Sequence, residues 1–216
     1  MKTYEKIETI YKRDVEGTKK LIEGDWRDPL FYILQDVKWY FTEKVDGTNV
    51  RVMWDGYKVS FGGRTEKTSH PAELIEHLEK MFGGTVNEQI FEQLFGDKEV
   101  IIFGEGYGGK IQGAGKHYRP DVSFIIFDVC VNGIYLEREN IVEIANAFDV
   151  PVVPIVFKGT LKEAVEFIKL VPTSQLSITD YKMEGIVGKP AVEIYNKYGK
   201  RAICKIKVCD FVEGKE

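Results

Sequence analysis

Lys44 ends an apolar, aromatic run, Trp39-Tyr40-Phe41, and is followed at once by Val45, a tight Asp46-Gly47 turn, Thr48 and Asn49. An amine held there can be a nucleophile towards phosphorus, provided that it is desolvated or set beside other cations. The rival reading is simpler. Asp-Gly between alternating strands is a common hairpin turn, and a lysine beside it is usually a solvated strand end.

Further along, charged residues recur where packed strands would not place them. Phe61-Gly62-Gly63-Arg64 sends an arginine out of a strand through two glycines. Glycines let a backbone approach a ligand closely, and the guanidinium can fork onto phosphate oxygens, although a flexible loop with a surface arginine explains the residues equally well. Glu105 terminates the apolar stretch Ile101-Ile102-Phe103-Gly104 and sits between glycines. A carboxylate so placed can accept from a ribose hydroxyl or help hold a metal; it can also be an ordinary polar strand exit. The glycines around it form no phosphate loop, since neither G-x-x-x-x-G-K-[ST] nor the strand-glycine-helix order of a dinucleotide fold is present.

In Ser123-Phe124-Ile125-Ile126-Phe127-Asp128 the aromatic residues suit a core. A purine, however, needs a flat apolar surface, and Phe124 or Phe127 can supply it. Alternation puts the two on opposite faces, so only one can serve, and Phe124 is the favoured choice. Lys205 and Lys207 alternate about Ile206 and so share a face. Two lysines side by side repel unless an anion lies between them, which suits phosphate; a lysine-guarded edge strand is the alternative.

The elements that must position these groups read as α+β, with hairpins dominating and helices inserted between them. Residues 1–36 are polar and turn-rich, with a loop at Asp25-Trp26-Arg27-Asp28-Pro29. Trp39 to Lys44 and Asn49 to Trp54 read as strands, and Asp55-Gly56 turns the chain into Tyr57 to Phe61. Val50, Val52 and Trp54 alternate with Arg51, Met53 and Asp55, giving one apolar face and one that can present Arg51. Helices are predicted over Pro71 to Phe82, from a Thr85-x-x-Glu88 capping box to Phe95, over about Glu139 to Phe148, and after a Thr160-x-x-Glu163 box. Strands are predicted at Val100 to Gly104, Ser123 to Asn132, Ile134 to Leu136, Glu184 to Gly188 and Ala202 to Val208.

With 216 residues, 44% hydrophobic and 30% charged, the chain can build a full core and reads as one domain over residues 1–216, with 1–36 as its N-terminal segment. A net charge of −4 argues against a surface that coats nucleic acid throughout, but leaves room for a local basic groove. Lys12-Arg13, Lys19-Lys20, Lys110 to Arg119 and Lys197 to Lys207 supply the clusters, which as single runs read as solvated faces. Cys130, Cys204 and Cys209 read as reduced, packed thiols, and no Cys/His spacing suggests zinc. The start has no apolar core region and no stretch is long enough to span a bilayer, so a soluble, cytoplasmic protein that contacts no membrane is expected.

Taken in order, K-V-D-G-T-N, F-G-G-R, F-G-E-G, F-I-I-F-D, E-G-I-V and K-I-K, running from Lys44 to Lys207, resemble the motifs of the covalent nucleotidyltransferases: polynucleotide ligases and messenger-RNA capping enzymes. The nearest resemblance is to ATP-dependent RNA ligases of the phage and RNA-editing type, in which the first motif ends in asparagine, as at Asn49. Ile7 to Asp14 is also similar to phage-type members, which leaves a phage-encoded origin open. The resemblance implies an adenylation fold of ligase type, largely antiparallel sheets with flanking helices and ATP-grasp-like. It implies that Lys44 takes AMP from ATP, that AMP passes to a 5′-phosphate of RNA, and that a 3′-hydroxyl then seals the strand.

Residue by residue, it makes Lys44 the nucleophile, with Lys205, Lys207 and Glu184 as the other catalytic residues. Arg64 and the two lysines would hold phosphates. Glu43 (through its backbone), Val45, Asp46, Asn49, Glu105 and Phe124 would bind the nucleotide. Glu184 and Glu105 would support magnesium or manganese. The partners implied are ATP and RNA ends or a nicked duplex. Only Val208 to Glu216 follow K-I-K, so no C-terminal OB or helical domain is expected, and a separate protein or domain could replace it. The alternatives are a minimal ATP-dependent DNA ligase, a GTP-using capping enzyme, and a catalytically inert nucleotide or RNA-end binding module.

Overall fold

The computed structural model describes residues 2–65 and 68–212. In chain order the strands and helices begin with β1 (Glu8–Thr9), β2 (Tyr11–Arg13), β3 (Leu21–Trp26), α1 (Pro29–Ile33), β4 (Trp39–Glu43), β5 (Thr48–Trp54) and β6 (Val59–Gly63). Next come α2 (Ala72–Phe82), α3 (Gly84–Phe95), β7 (Val100–Gly108), α4 (Gly115–Tyr118), β8 (Val122–Val131), β9 (Ile134–Tyr135) and α5 (Arg138–Ala147). The chain continues through β10 (Ile155–Gly159), α6 (Leu161–Lys169), β11 (Gly185–Pro190) and β12 (Cys204–Lys207). This is the expected α+β architecture of largely antiparallel sheets with flanking helices. The chain divides into two compact units.

The first unit is built mainly from Asp46–Val153. Its sheet has the order β6-β5-β7-β8-β9, every pair antiparallel among the described residues. One face packs Val50, Val52, Trp54, Ile102 and Phe124 against Leu74, Leu78 and Phe82 of α2, Phe91 of α3 and Ile141 of α5. Leu74, Leu78 and Phe82 follow one another at four-residue steps, which turns a single stripe of α2 inward. The capping box at Thr85 does not form. α3 starts a residue earlier, after Gly83, and Glu88 instead accepts the Val59 N–H at 3.3 Å.

β7 also runs on where the sequence predicts a stop, four residues beyond Gly104. A Cβ at Gly104 would lie 2.2 Å from the Phe124 ring, and one at Gly106 would lie 2.5 Å from Leu74. These glycines are the places where a continuous strand admits bulky neighbours, so they do not end it.

The second unit comprises Lys6–Val45 and the chain from Pro154 onward. Its sheet has the order β1-β12-β11-β4-β10, antiparallel except for the parallel β1–β12 pair. Trp39, Phe41, Ile186, Cys204 and Ile206 lie on the buried face, against Leu161, Val165 and Ile168 of α6. Here the capping box does form: Thr160 donates its N–H to Glu163 at 2.8 Å and accepts from the Glu163 N–H at 3.3 Å.

The N-terminal segment holds more regular structure than its polar, turn-rich composition suggests. β2 and β3 form a hairpin, and α1 starts at Pro29 with Asp28 accepting the Leu30 N–H at 3.0 Å. Cys130 and Cys204 are buried, whereas Cys209, expected to be packed, is exposed. Among the described residues no helix is long and apolar enough to cross a membrane.

Candidate active site

Lys44 follows the last residue of β4, the strand flanked by β11 and β10. Its N–H donates to the Gly185 carbonyl at 2.9 Å, so the backbone is fixed at the point where the strand ends. The Lys44 Nζ reaches Glu184 Oε2 at 2.5 Å, and the Lys207 Nζ reaches Glu184 Oε1 at 2.7 Å. One carboxylate therefore sits between two ammonium groups. Lys205 and Lys207 stand opposite Val187 and Gly185 of β11, on the shared face that their alternation about Ile206 requires.

Charge and burial separate the two lysines of β12. Burial lowers the Lys205 pKa first, and the Lys44 and Lys207 ammonium groups push it further down. Burial acts in the same direction on Lys207, but its hydrogen bond and Coulomb attraction to Glu184 outweigh it and raise that pKa. Among the described residues no salt bridge reaches Lys205, and the Glu8 carboxylate only partly offsets burial and the neighbouring cations, so Lys205 is the cation of this cluster that most needs an anion.

Glu43, the residue before Lys44, is only 2% exposed. Its carboxylate accepts from the Ser174 hydroxyl and, at 2.9 Å, from the Gln175 N–H, while burial raises its pKa. Its own N–H donates to the Pro154 carbonyl at 3.0 Å, so backbone recognition of a base by Glu43 falls to its carbonyl. Sequence reasoning missed Ser174: it lies outside any regular element, and nothing in its neighbourhood predicts a buried partner. It sits in a small irregular hairpin, bridged at Thr173 and Lys182, that leads to Glu184. Val45 is buried.

The Asp46-Gly47 turn is not a hairpin turn. β4 and β5 belong to different sheets, so the common explanation for a lysine beside Asp-Gly does not apply. The Asp46 N–H donates to the Tyr118 hydroxyl at 3.3 Å and the Gly47 carbonyl accepts from Gln112 at 3.3 Å. A Cβ on Gly47 would lie 2.3 Å from the Gly106 carbonyl, which no side chain tolerates.

In the first unit, Asn49 of β5 stands opposite Glu105 of β7, and Glu105 opposite Ile125 of β8. The Asn49 Oδ1 is shielded from solvent and, among the described residues, has no hydrogen-bond partner, which leaves it open to a donor from a ligand. Arg64 follows β6 and is exposed. Arg51 is not presented to solvent: it is 4% exposed and donates from Nε to the Gly63 carbonyl at 2.7 Å, tying down the strand that Arg64 leaves.

Phe124 and Phe127 differ in their surroundings. Phe124 is fully buried, on the helix-covered face of the sheet, and meets Phe82 edge-on at 5.7 Å. A β-bulge in the β7–β8 pairing makes Phe127 the extra residue, and Phe127 is only partly buried. Its ring packs on Tyr4 at 5.0 Å, and Tyr4 also packs on Phe103, two residues from Glu105 and so on its face of β7. Between the two phenylalanines, Phe127 is the one with free ring surface.

Of the two acids expected to support a metal, Glu184 has both carboxylate oxygens facing lysines, and Glu105 is a residue of β7 in the first unit. Among the described residues no group of three or more His, Cys, Asp or Glu side chains could hold an ion.

Comparison with known proteins gives a consistent picture. The family model described as RNA ligase matches residues 37–207. No curated protein matches. Among solved structures, a Naegleria gruberi RNA ligase glutamate-to-alanine variant with ATP and Mn aligns at a TM-score of 0.63 and 20% identity, over 83% of this chain and 52% of that one. A lysine-to-alanine variant with ATP and Mn aligns at 0.60 and 22%, over 82% and 52%. The N. gruberi RNA ligase with PPi aligns at 0.61 and 22%, over 96% and 62%. At such identities the likeness is one of fold, and the chain spans about half to three-fifths of the length of these structures.

Proposed function

The chain belongs to the RNA ligase family, and we propose on that premise that it is an ATP-dependent RNA ligase working through a lysyl-adenylate. The observation that carries the reading is the cluster Lys44–Glu184–Lys207 with Lys205 beside it. A module that only bound nucleotides would have no need of an amine fixed in this way.

The Lys44 Nζ loses a proton and attacks the α-phosphorus of ATP. A P–N bond forms, the bond to the bridging oxygen breaks, and pyrophosphate leaves. A 5′-phosphate oxygen of RNA then displaces the lysine from AMP. A 3′-hydroxyl finally attacks that 5′-phosphorus and releases AMP as the phosphodiester forms. Lys205 and Lys207 offset the charge that builds on the phosphoryl oxygens, as phosphoryl transfer requires. Glu184 holds Lys44 in place before ATP arrives. Arg64 takes a phosphate, Glu105 and Asn49 accept from the ribose or donors near it, Phe127 gives the adenine a surface, and Asp46 shapes the turn.

Magnesium or manganese comes with the triphosphate, in keeping with the N. gruberi structures that contain ATP and Mn. Use of ATP and RNA fits a soluble, cytoplasmic protein.

The test is incubation with magnesium and ATP labelled at the α-phosphate, followed by a nicked duplex. Label on the denatured protein that is chased into a sealed strand is the expected result. A protein that never takes up label, or that prefers GTP, contradicts the reading. Faster sealing of a DNA 3′-hydroxyl than of an RNA one would make it a DNA ligase.

A further inference from the structure

Tyr40 and the lysines around it have no part in the adenylation chemistry, yet they share the sheet that carries Lys44. The register puts Lys189 of β11, Tyr40 of β4 and Lys158 of β10 in one cross-strand row. The row two residues on contains Lys205, Val187 and Thr42. Residues two apart share a face, so both rows lie on the side opposite Trp39, Phe41, Ile186 and Ile206. The Nζ of Lys158 stands 4.9 Å from the centroid of the Tyr40 ring and that of Lys38 stands 6.0 Å from it. Lys38 and Lys158 are exposed and Tyr40 is partly so.

Protection of an edge strand explains a lysine on β10, but it does not explain a tyrosine on β4, which has a neighbour on each side, or two ammonium groups converging on one ring. An aromatic ring flanked by mobile cations is the usual arrangement for a nucleic-acid strand, where bases stack and the backbone needs positive charge. Stacking of a base is stronger than an exposed cation–π contact, so a base can displace a lysine from the ring. The displaced ammonium is then beside the phosphate next to that base.

We propose that this face of the second unit, with Tyr40 as its stacking platform and Lys38 and Lys158 as its phosphate contacts, binds a single-stranded stretch of RNA on its way to Lys44. The choice of RNA rests on the ligase reading; the surface itself does not.

The test measures the affinity of a fluorescent single-stranded oligoribonucleotide at several salt concentrations for wild type, Tyr40→Leu and Lys158→Gln, with lysyl-adenylate formation measured in parallel. Tyr40→Leu should weaken RNA binding about tenfold. Lys158→Gln should make the slope of log affinity against log salt shallower by about 0.7, the value for one lost contact on a single strand. Both variants should form lysyl-adenylate at the wild-type rate. Wild-type affinity and slope in both variants would overturn the proposal, as would a loss of adenylation equal to the loss of binding. Tighter binding of the deoxyribose strand would overturn the choice of RNA. Absence of adenylation in the wild type would sink the ligase reading alone, since the binding measurement does not depend on it.

Discussion

On β12 of the second unit's sheet the residues follow strict alternation, Lys205 and Lys207 on one face and Cys204 and Ile206 on the other. The irregularity of that sheet lies in the β10–β4 pairing, between Ile155 and Phe157. In the first unit's sheet β7 keeps its alternation through Gly104 and Gly106, but β8 carries a bulge at Phe127, so faces on either side of that residue cannot be counted as one alternation. Six of the eleven candidate residues lie in the second unit and five in the first. The comparison shows that parity along a strand survives only while every residue pairs with one partner; a single bulge reverses it for all that follows.

The comparison can be broken or sharpened by substitution. The largest effect belongs to the second unit: Lys44→Ala should abolish label transfer from ATP. Glu184→Gln should follow with a loss of about 10²–10³ in the rate of adenylation, the usual effect of removing one preorganised charged group. A rate near wild type would show that the carboxylate between Lys44 and Lys207 is only a resting partner.

In the bulged sheet the two phenylalanines should part company. Phe124→Ala should lower stability by about 3–5 kcal/mol in urea unfolding, since it empties a core site, with little change in the KM for ATP. Phe127→Ala should raise that KM about tenfold with little loss of stability. The reverse outcome would restore Phe124 as the stacking residue and remove the bulge from the account.

The smallest effects separate Lys205 from Lys207 by pH. Because the folded pKa of Lys205 is depressed, the unfolded chain binds more protons across the window between that value and the ordinary lysine pKa, and stability rises with pH there. Lys205→Met should therefore be the more stable protein at neutral pH, with the advantage fading in alkali. Lys207 has the opposite sign. Its raised pKa stabilises the fold at neutral pH, and that contribution disappears as pH climbs through the folded value. Lys207→Met should be destabilised at neutral pH and approach wild type in alkali. Urea unfolding at both pH values checks the two signs together.

Much of this was legible in the sequence where local rules decide. Lys205 and Lys207 fall on one face because strands have period two, and the Thr160–Glu163 box forms because its partners are three residues apart. What was not legible depends on distant contacts. Asp46-Gly47 reads as a hairpin turn, but the strands on either side enter different sheets, a choice made by β5 pairing with β6 and β7 and by β4 pairing with β10 and β11. Glu105 reads as a strand end because glycine is taken for a stop, whereas Gly104 and Gly106 make room for Phe124 and Leu74. Glu88 reads as a capping residue but is drawn to the Val59 N–H of β6. Ser174, the buried partner of Glu43, has no local signal at all.

The central claim is that Lys44 is the residue that becomes adenylated. The most direct measurement is peptide mapping by mass spectrometry after incubation with magnesium and ATP and acid quenching. The account predicts one AMP adduct, on the peptide that contains Lys44, and none in Lys44→Ala. An adduct on Lys205, Lys207 or any other lysine, or an unmodified protein after prolonged incubation, would contradict it.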